Sequence, residues 1–96
     1  MKIAVYAICK NEEKFVDRWY ESVKEADGIN VLDTGSSDHT LEKLKSHDIH
    51  VSSKQYDFFR FDVARNDSLE MIPLDYDVCV CLDLDEVIEP GWREKL

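Results

Sequence analysis

The sequence predicts an α/β fold: a parallel sheet with helices on both faces. Short, nearly unbroken apolar stretches alternate with stretches of helical period, the pattern of strands joined by crossover helices. Three of the apolar stretches also end in polar residues suited to ligands, and in open parallel sheets ligands bind beyond the carboxyl ends of the strands.

Ile3 to Cys9 is almost continuously apolar, as a strand covered on both faces must be. The period then changes. Phe15, Val16, Trp19, Tyr20, Val23 and Ala26 fall on one stripe of a helix spanning Asn11 to Ala26, with Asn11 as its N-cap and Gly28 as its stop. Ile29 to Asp33 is a second strand. Thr34-Gly35-Ser36-Ser37-Asp38 is a polar turn whose last residues cap a helix carrying Leu41 and Leu44. Ile49 to Ser52 is a third strand. After a loop holding Tyr56, Phe58 and Phe59, a helix runs from Asp62 to Met71 and stops at Pro73. Tyr76 to Leu82 is the strongest strand, with Val78 to Leu82 unbroken. Pro90-Gly91 turns the chain, and Trp92 to Leu96 opens a further helix. The order β-α-β-α-β-α-β predicts a Rossmann-like sheet with right-handed crossovers. If the first strand lies between the second and the fourth, the three polar strand ends meet.

Composition narrows the function. The chain has 96 residues, one domain at most. With 12 basic and 21 acidic residues its formal net charge is -9, which phosphate backbones repel, so nucleic acid is excluded as a partner. Between Asn66 and Trp92 there is no Lys or Arg, while Asp75, Asp77, Asp83, Asp85, Glu86 and Glu89 crowd the second half of that stretch. A diphosphate enters such a region only with a cation to neutralise it. Cys9, Cys79 and Cys81 lie in apolar runs and read as small buried hydrophobes of a reducing compartment. The opening residues lack a signal-peptide pattern, and no stretch approaches the ~20 apolar residues of a membrane span, so the expected location is cytoplasmic. His39, His47 and His50 show no spacing for a metal or a catalytic triad. Trp19 and Tyr20 belong to the helix's apolar stripe and read as core.

The polar strand ends carry the chemistry. They are Lys10-Asn11-Glu12, Asp33-Thr34-Gly35-Ser36 and Asp83-Leu84-Asp85. Two carboxylates two residues apart at the end of a buried strand can share one hard cation. Mg²⁺ and Mn²⁺ accept a few carboxylate oxygens and fill the remaining positions with water and substrate phosphates.

The segments Ala7 to Glu13, Asp33 to Thr40, Ala64-Arg65-Asn66 and Leu82 to Glu86 occur in that order. Together they resemble the family 2 glycosyltransferases, inverting enzymes of the GT-A fold, and the resemblance covers nearly the whole chain. It implies a nucleotide-diphosphate-sugar donor, usually a UDP-sugar, a Mn²⁺ or Mg²⁺ cofactor, and transfer to a glycan or lipid-linked acceptor. By the same resemblance the Ile8 backbone and Glu12 lie near the base and ribose, with Asn11 in the same binding loop. Asp33 hydrogen-bonds the uracil, and Arg65 approaches the pyrophosphate. Asp85 is the main metal ligand, and Asp83 reaches the ribose, the sugar or a metal-bound water. The residues alone also allow Asn11 to be a helix cap and Arg65 a surface ion-pair partner.

Such a fold has a second half that binds the acceptor and supplies a carboxylate base. The chain therefore reads as an N-terminal nucleotide-sugar-binding part, with the base expected beyond residue 96. An open fourth strand further predicts a homo-oligomer. Two other readings use the same residues. One is a nucleotide-sugar-binding fragment without turnover. The other is a haloacid dehalogenase-like phosphatase, because Val78 to Val87 resembles the first motif of that family, in which an Asp attacks phosphorus.

Overall fold

A computed structural model of the protein describes residues 1–55 and 61–95. Its elements are β1 (Ile3–Cys9), α1 (Glu13–Val23), β2 (Gly28–Asp33), α2 (Thr40–Lys45), β3 (His50–Ser53), α3 (Phe61–Glu70) and β4 (Val78–Cys81), followed by a 3₁₀ turn (Trp92–Lys95). The strands form one parallel sheet in the order β3-β2-β1-β4, so the first strand does lie between the second and the fourth. The loop of Tyr56, Phe58 and Phe59 lies outside the described residues, as does Leu96.

Alternation along the strands sorts the side chains into two cores. Ile3, Val5, Ala7 and Cys9 of β1 and Ile29 and Val31 of β2 pack with Val16, Trp19 and Val23 of α1 and Leu44 of α2. On the other face Ile8 and Leu32 pack against Ala64 of α3. The first core is much the larger, and Trp19, Ile3, Leu44 and Leu84 are fully buried in it. Leu84 lies between Asp83 and Asp85, so the acidic segment is anchored to the core by its middle residue.

The ends of β2, β3 and α3 shift from expectation by one residue and the last helix is a 3₁₀ turn, while α1 and β4 differ further, for local reasons. Helix α1 ends at Val23 because the Asp27 N–H already pairs with the Ile3 carbonyl at 2.9 Å, and Ala26 reaches the core from the intervening turn. Its N-terminal flank is Glu12 rather than Asn11, and no side chain caps it. Strand β4 is shorter than Tyr76 to Leu82 because pairing with β1 stops at Tyr6–Cys81. The cysteines also divide: Cys9 is buried, Cys81 half-buried and Cys79 exposed. Cys79 lies on an edge strand whose outer side nothing described covers, so its apolar run does not imply burial.

Candidate metal and nucleotide site

The carboxyl ends of β1, β2 and β4 open on one edge of the sheet, and the loops beyond them are joined by named hydrogen bonds. Asp33, 3% exposed at the end of β2, organises the first pair of loops. Its Oδ2 accepts from the backbone N–H groups of Gly35 at 3.3 Å and Ser36 at 3.1 Å, and its Oδ1 accepts from the Ser36 hydroxyl and from Cys9 Sγ at 3.5 Å. Gly35 makes this tight return with φ +118°, a conformation that side-chain-bearing residues rarely adopt.

The β1–α1 loop is then buttoned to the same turn. The Asn11 N–H donates to Ser36 Oγ at 2.9 Å, and Asn11 Oδ1 accepts from the Ser37 N–H at 2.7 Å. Asn11 sits at φ 53°, a left-handed position that Asn tolerates better than most residues. Its role is thus to cross-link two loops, not to cap α1. The Glu12 N–H donates to the buried Thr40 hydroxyl at 2.9 Å, and Asp38 Oδ1 accepts the Thr40 N–H at 2.9 Å as α2 begins. The Asp38 carboxyl is held below its usual range chiefly by the Thr40 hydroxyl.

The third loop is the acidic one. Residues 83–86 form a turn closed by the Glu86 N–H on the Asp83 carbonyl at 3.0 Å, while Glu86 Oε1 accepts the Asp83 N–H at 3.1 Å. Carboxylate oxygens of Asp83, Asp85 and Glu86 lie within 4.8 Å of one another. Helix α1 holds this loop from behind. Trp19 Nε1 donates to the Leu82 carbonyl at 2.9 Å, and Arg18 Nη2 donates to the Asp85 carbonyl at 3.1 Å.

Asp83 Oδ1 is buried and receives no hydrogen bond among the described residues. Arg65 Nη2 stands 3.6 Å from it, close enough for an ion pair but too long for a hydrogen bond, while Nη1 turns to Cys81 Sγ. Arg65 therefore belongs to the acidic loop in this structure and keeps about a third of its side chain exposed.

Glu12 shows that the loops share one electrostatic environment. Burial raises its carboxyl above the usual carboxylate range, and the negative charges of Asp85 and Asp83 raise it further. A carboxyl with a raised folded-state pKa loses stability as pH climbs past its unfolded value, ~4.3 for Glu. Glu12→Gln should therefore raise the thermal midpoint of the metal-free protein at pH 7, with the gain shrinking as pH falls through ~4.3 and vanishing about a unit or more below it, where the Glu12 carboxyl is protonated in the folded and unfolded chain alike. Scanning calorimetry across that range checks the sign; a gain independent of pH would remove the repulsion argument.

Ile8 is placed by the ladder itself. The Leu82 N–H bonds the Tyr6 carbonyl at 3.2 Å, so even-numbered residues of β1 turn their peptide groups toward β4. Beyond Cys81 that neighbour has left the sheet, and no described residue takes up the Ile8 N–H. Ile8, Asn11, Glu12, Asp33, Arg65, Asp83 and Asp85 thus all lie at or just beyond one strand edge. The sequence marks Ser36 as part of a polar strand end and Thr40 as part of a motif segment, but not the relay that their hydroxyls make between loops, nor any role for Glu86. The Asp-x-x-Glu spacing of Asp83 and Glu86, the form of a capping box, was the available signal for Glu86.

No curated protein sequence matches the chain. Among solved structures it is similar to glucosyl-3-phosphoglycerate synthase from Mycobacterium tuberculosis in complex with UDP, with TM-score 0.75 and 24% identity over 90% of this chain and 34% of that one. The same enzyme in complex with Mn²⁺, UDP and glucosyl-3-phosphoglycerate gives TM-score 0.66 and 25% identity over 85% of this chain and 33% of that one. S. aureus TarS residues 1–349 gives TM-score 0.79 and 20% identity over 99% of this chain and 31% of that one. The chain thus spans about a third of the length of these structures and shares their GT-A fold. The sequence profile of Glycosyl transferase family 2 matches residues 4–96, so the chain belongs to that family.

Proposed function

We propose that this chain is the nucleotide-sugar-binding part of an inverting, metal-dependent glycosyltransferase using a UDP-sugar. The observation that carries the reading is the buried Asp83 Oδ1, without a hydrogen-bond donor and grouped with Asp85 and Glu86 where three loops converge. The Arg65 guanidinium meets this oxygen only as a 3.6 Å ion pair, too long for a hydrogen bond, and a buried carboxylate oxygen without a hydrogen bond is costly until a closer positive group satisfies it. A donor set made only of carboxylate oxygens suits Mg²⁺ or Mn²⁺ rather than a softer metal. Asp85 would be the main ligand, with Asp83 beside it or on a bound water, ribose or sugar. The cation would neutralise charge building on the departing diphosphate.

The chain's own residues supply the rest of the pocket. The Ile8 N–H offers a donor to the base, Glu12 stands near the ribose, and Asn11 fixes the loop that presents both. Asp33 lies under the base position. All four of its acceptor directions are engaged by the turn, so a contact to uracil requires one of those bonds to open. Arg65 can turn its guanidinium from Asp83 to the pyrophosphate once a cation occupies the acidic loop.

In the proposed transfer an acceptor hydroxyl, on a glycan or a lipid-linked sugar, loses its proton to a base expected beyond residue 96. Its oxygen bonds to the anomeric carbon as the bond to the diphosphate breaks. Among the described residues no helix is long and apolar enough to cross a membrane. Family membership leaves no room for the phosphatase reading.

Titration calorimetry with UDP, with and without Mn²⁺, tests the proposal. Heat of binding is expected only with the metal present, and no binding under either condition would sink it. The open side of β4 carries a further expectation, that two copies pair there. Sedimentation at micromolar concentration should show a dimer, and a clean monomer removes the idea.

A further inference from the structure

We infer that Trp19 and Arg18 of α1 are positioning residues that split β4 from β1 and aim the acidic turn, a role resting on the metal-site reading above. Nothing about Trp19 in the sequence suggests more than core packing, and it is indeed fully buried. Its indole N–H, however, is spent on one specific acceptor, the Leu82 carbonyl, at 2.9 Å.

That carbonyl has an obvious alternative partner. The Tyr6–Cys81 register and the bond from the Leu82 N–H to the Tyr6 carbonyl mean that one more rung of the ladder would join the Ile8 N–H to the Leu82 carbonyl. The indole N–H bonds this carbonyl and the Ile8 N–H does not; since a carbonyl can accept two bonds, the indole acts by drawing it off the ladder toward α1 rather than by filling it. Two things follow. The Ile8 N–H stays open toward the cleft, and the chain leaves the sheet at Leu82, so that Leu84 drops into the core while Asp83 and Asp85 remain at the strand edge.

Arg18, one residue earlier on the same helix, fixes the far side of the turn through the Asp85 carbonyl at 3.1 Å. Its guanidinium lies 5.2 Å from the Phe15 ring centroid, which limits its sweep. The turn is therefore gripped at both ends from one helix, through its backbone, which leaves the carboxylates free for a ligand. Such indirect supports of a metal site typically matter about 10–100-fold in affinity.

The test uses Trp19→Phe, which keeps an aromatic ring but no donor, and Arg18→Met, an exposed change that keeps the apolar stem and cannot unfold the core. Two readouts are needed. Amide hydrogen exchange at Asp83 and Glu86 should accelerate in both variants, while amides of the β1–β2 ladder keep their protection. Mn²⁺ affinity in the presence of UDP, followed by the free-Mn²⁺ electron paramagnetic resonance signal, should fall about tenfold. Unchanged exchange at the turn in both variants overturns the grip. Faster exchange with undiminished Mn²⁺ affinity overturns its positioning role while leaving the metal site standing. Wild-type protein that takes up no Mn²⁺ with UDP removes the site reading itself, and this inference with it.

Discussion

Asp85→Ala is expected to abolish the metal-dependent binding of UDP and to leave the fold intact. The carboxylate is exposed, and among the described residues only its backbone carbonyl is tied down, by Arg18, a bond that alanine keeps. Surface substitutions free of special contacts usually change stability by no more than ~0.5 kcal/mol. Affinity should instead fall by about a hundredfold or more, because losing a ligand should cost no less than the ~10–100-fold that follows loss of a group supporting one. Asp83→Ala is the informative comparison. It removes a buried oxygen that lacks a hydrogen bond and frees Arg65 from its 3.6 Å ion pair. Stability should hold, and binding should weaken less, by about tenfold, if its contact runs through ribose or water. Asp75→Ala serves as the control. It sits before β4, at the opposite end of the sheet, paired with Lys2 on the surface, where solvent screening leaves such a pair little to contribute. Calorimetry of UDP with Mn²⁺ on the three variants decides. Equal losses in all three would mean that general negative charge, not a site, governs the metal.

What the sequence disclosed depended on how local the cause was. Burial on both faces forces β1 to be apolar at every step, so its limits were legible to the residue. The stripe of Val16, Trp19 and Val23 likewise announced α1, and the parallel order made the meeting of three strand ends a matter of topology. The family resemblance then assigned residues that spacing alone left open. Tertiary bonds were another matter. Asn11 looked like a cap because Asn favours caps, yet its side chain crosses to Ser37, a partner that no local pattern names. Trp19 looked like core and is core, but the acceptor of its N–H lies 63 residues away. Cys79 looked buried because its strand is apolar; it is exposed because β4 is an edge.

Asp33→Ala should destabilise the protein strongly, and this separates two roles that the site otherwise merges. As a base-binding residue alone, Asp33 would be dispensable to the metal-free fold. The structure places its carboxylate at 3% exposure beneath four donors: the N–H groups of Gly35 and Ser36, the Ser36 hydroxyl and Cys9 Sγ. Alanine leaves these donors without an acceptor, and a buried unsatisfied group costs about 1–3 kcal/mol. Water can reach part of the turn, so we expect a loss of about 2–4 kcal/mol rather than the sum. In a domain of this size that lowers the thermal midpoint by roughly 10 °C or more. The damage should spread, because Ser36 Oγ also accepts the Asn11 N–H and so holds the β1–α1 loop. Asp33→Asn should fall between Asp33→Ala and wild type. Its amide oxygen can keep both backbone N–H groups, and its NH₂ can face the Ser36 hydroxyl as a donor once that hydroxyl turns to accept. Thermal midpoints without ligand, read by circular dichroism, should descend from wild type through Asp33→Asn to Asp33→Ala. Equal midpoints for all three proteins would make the turn bonds incidental and leave Asp33 with the nucleotide alone.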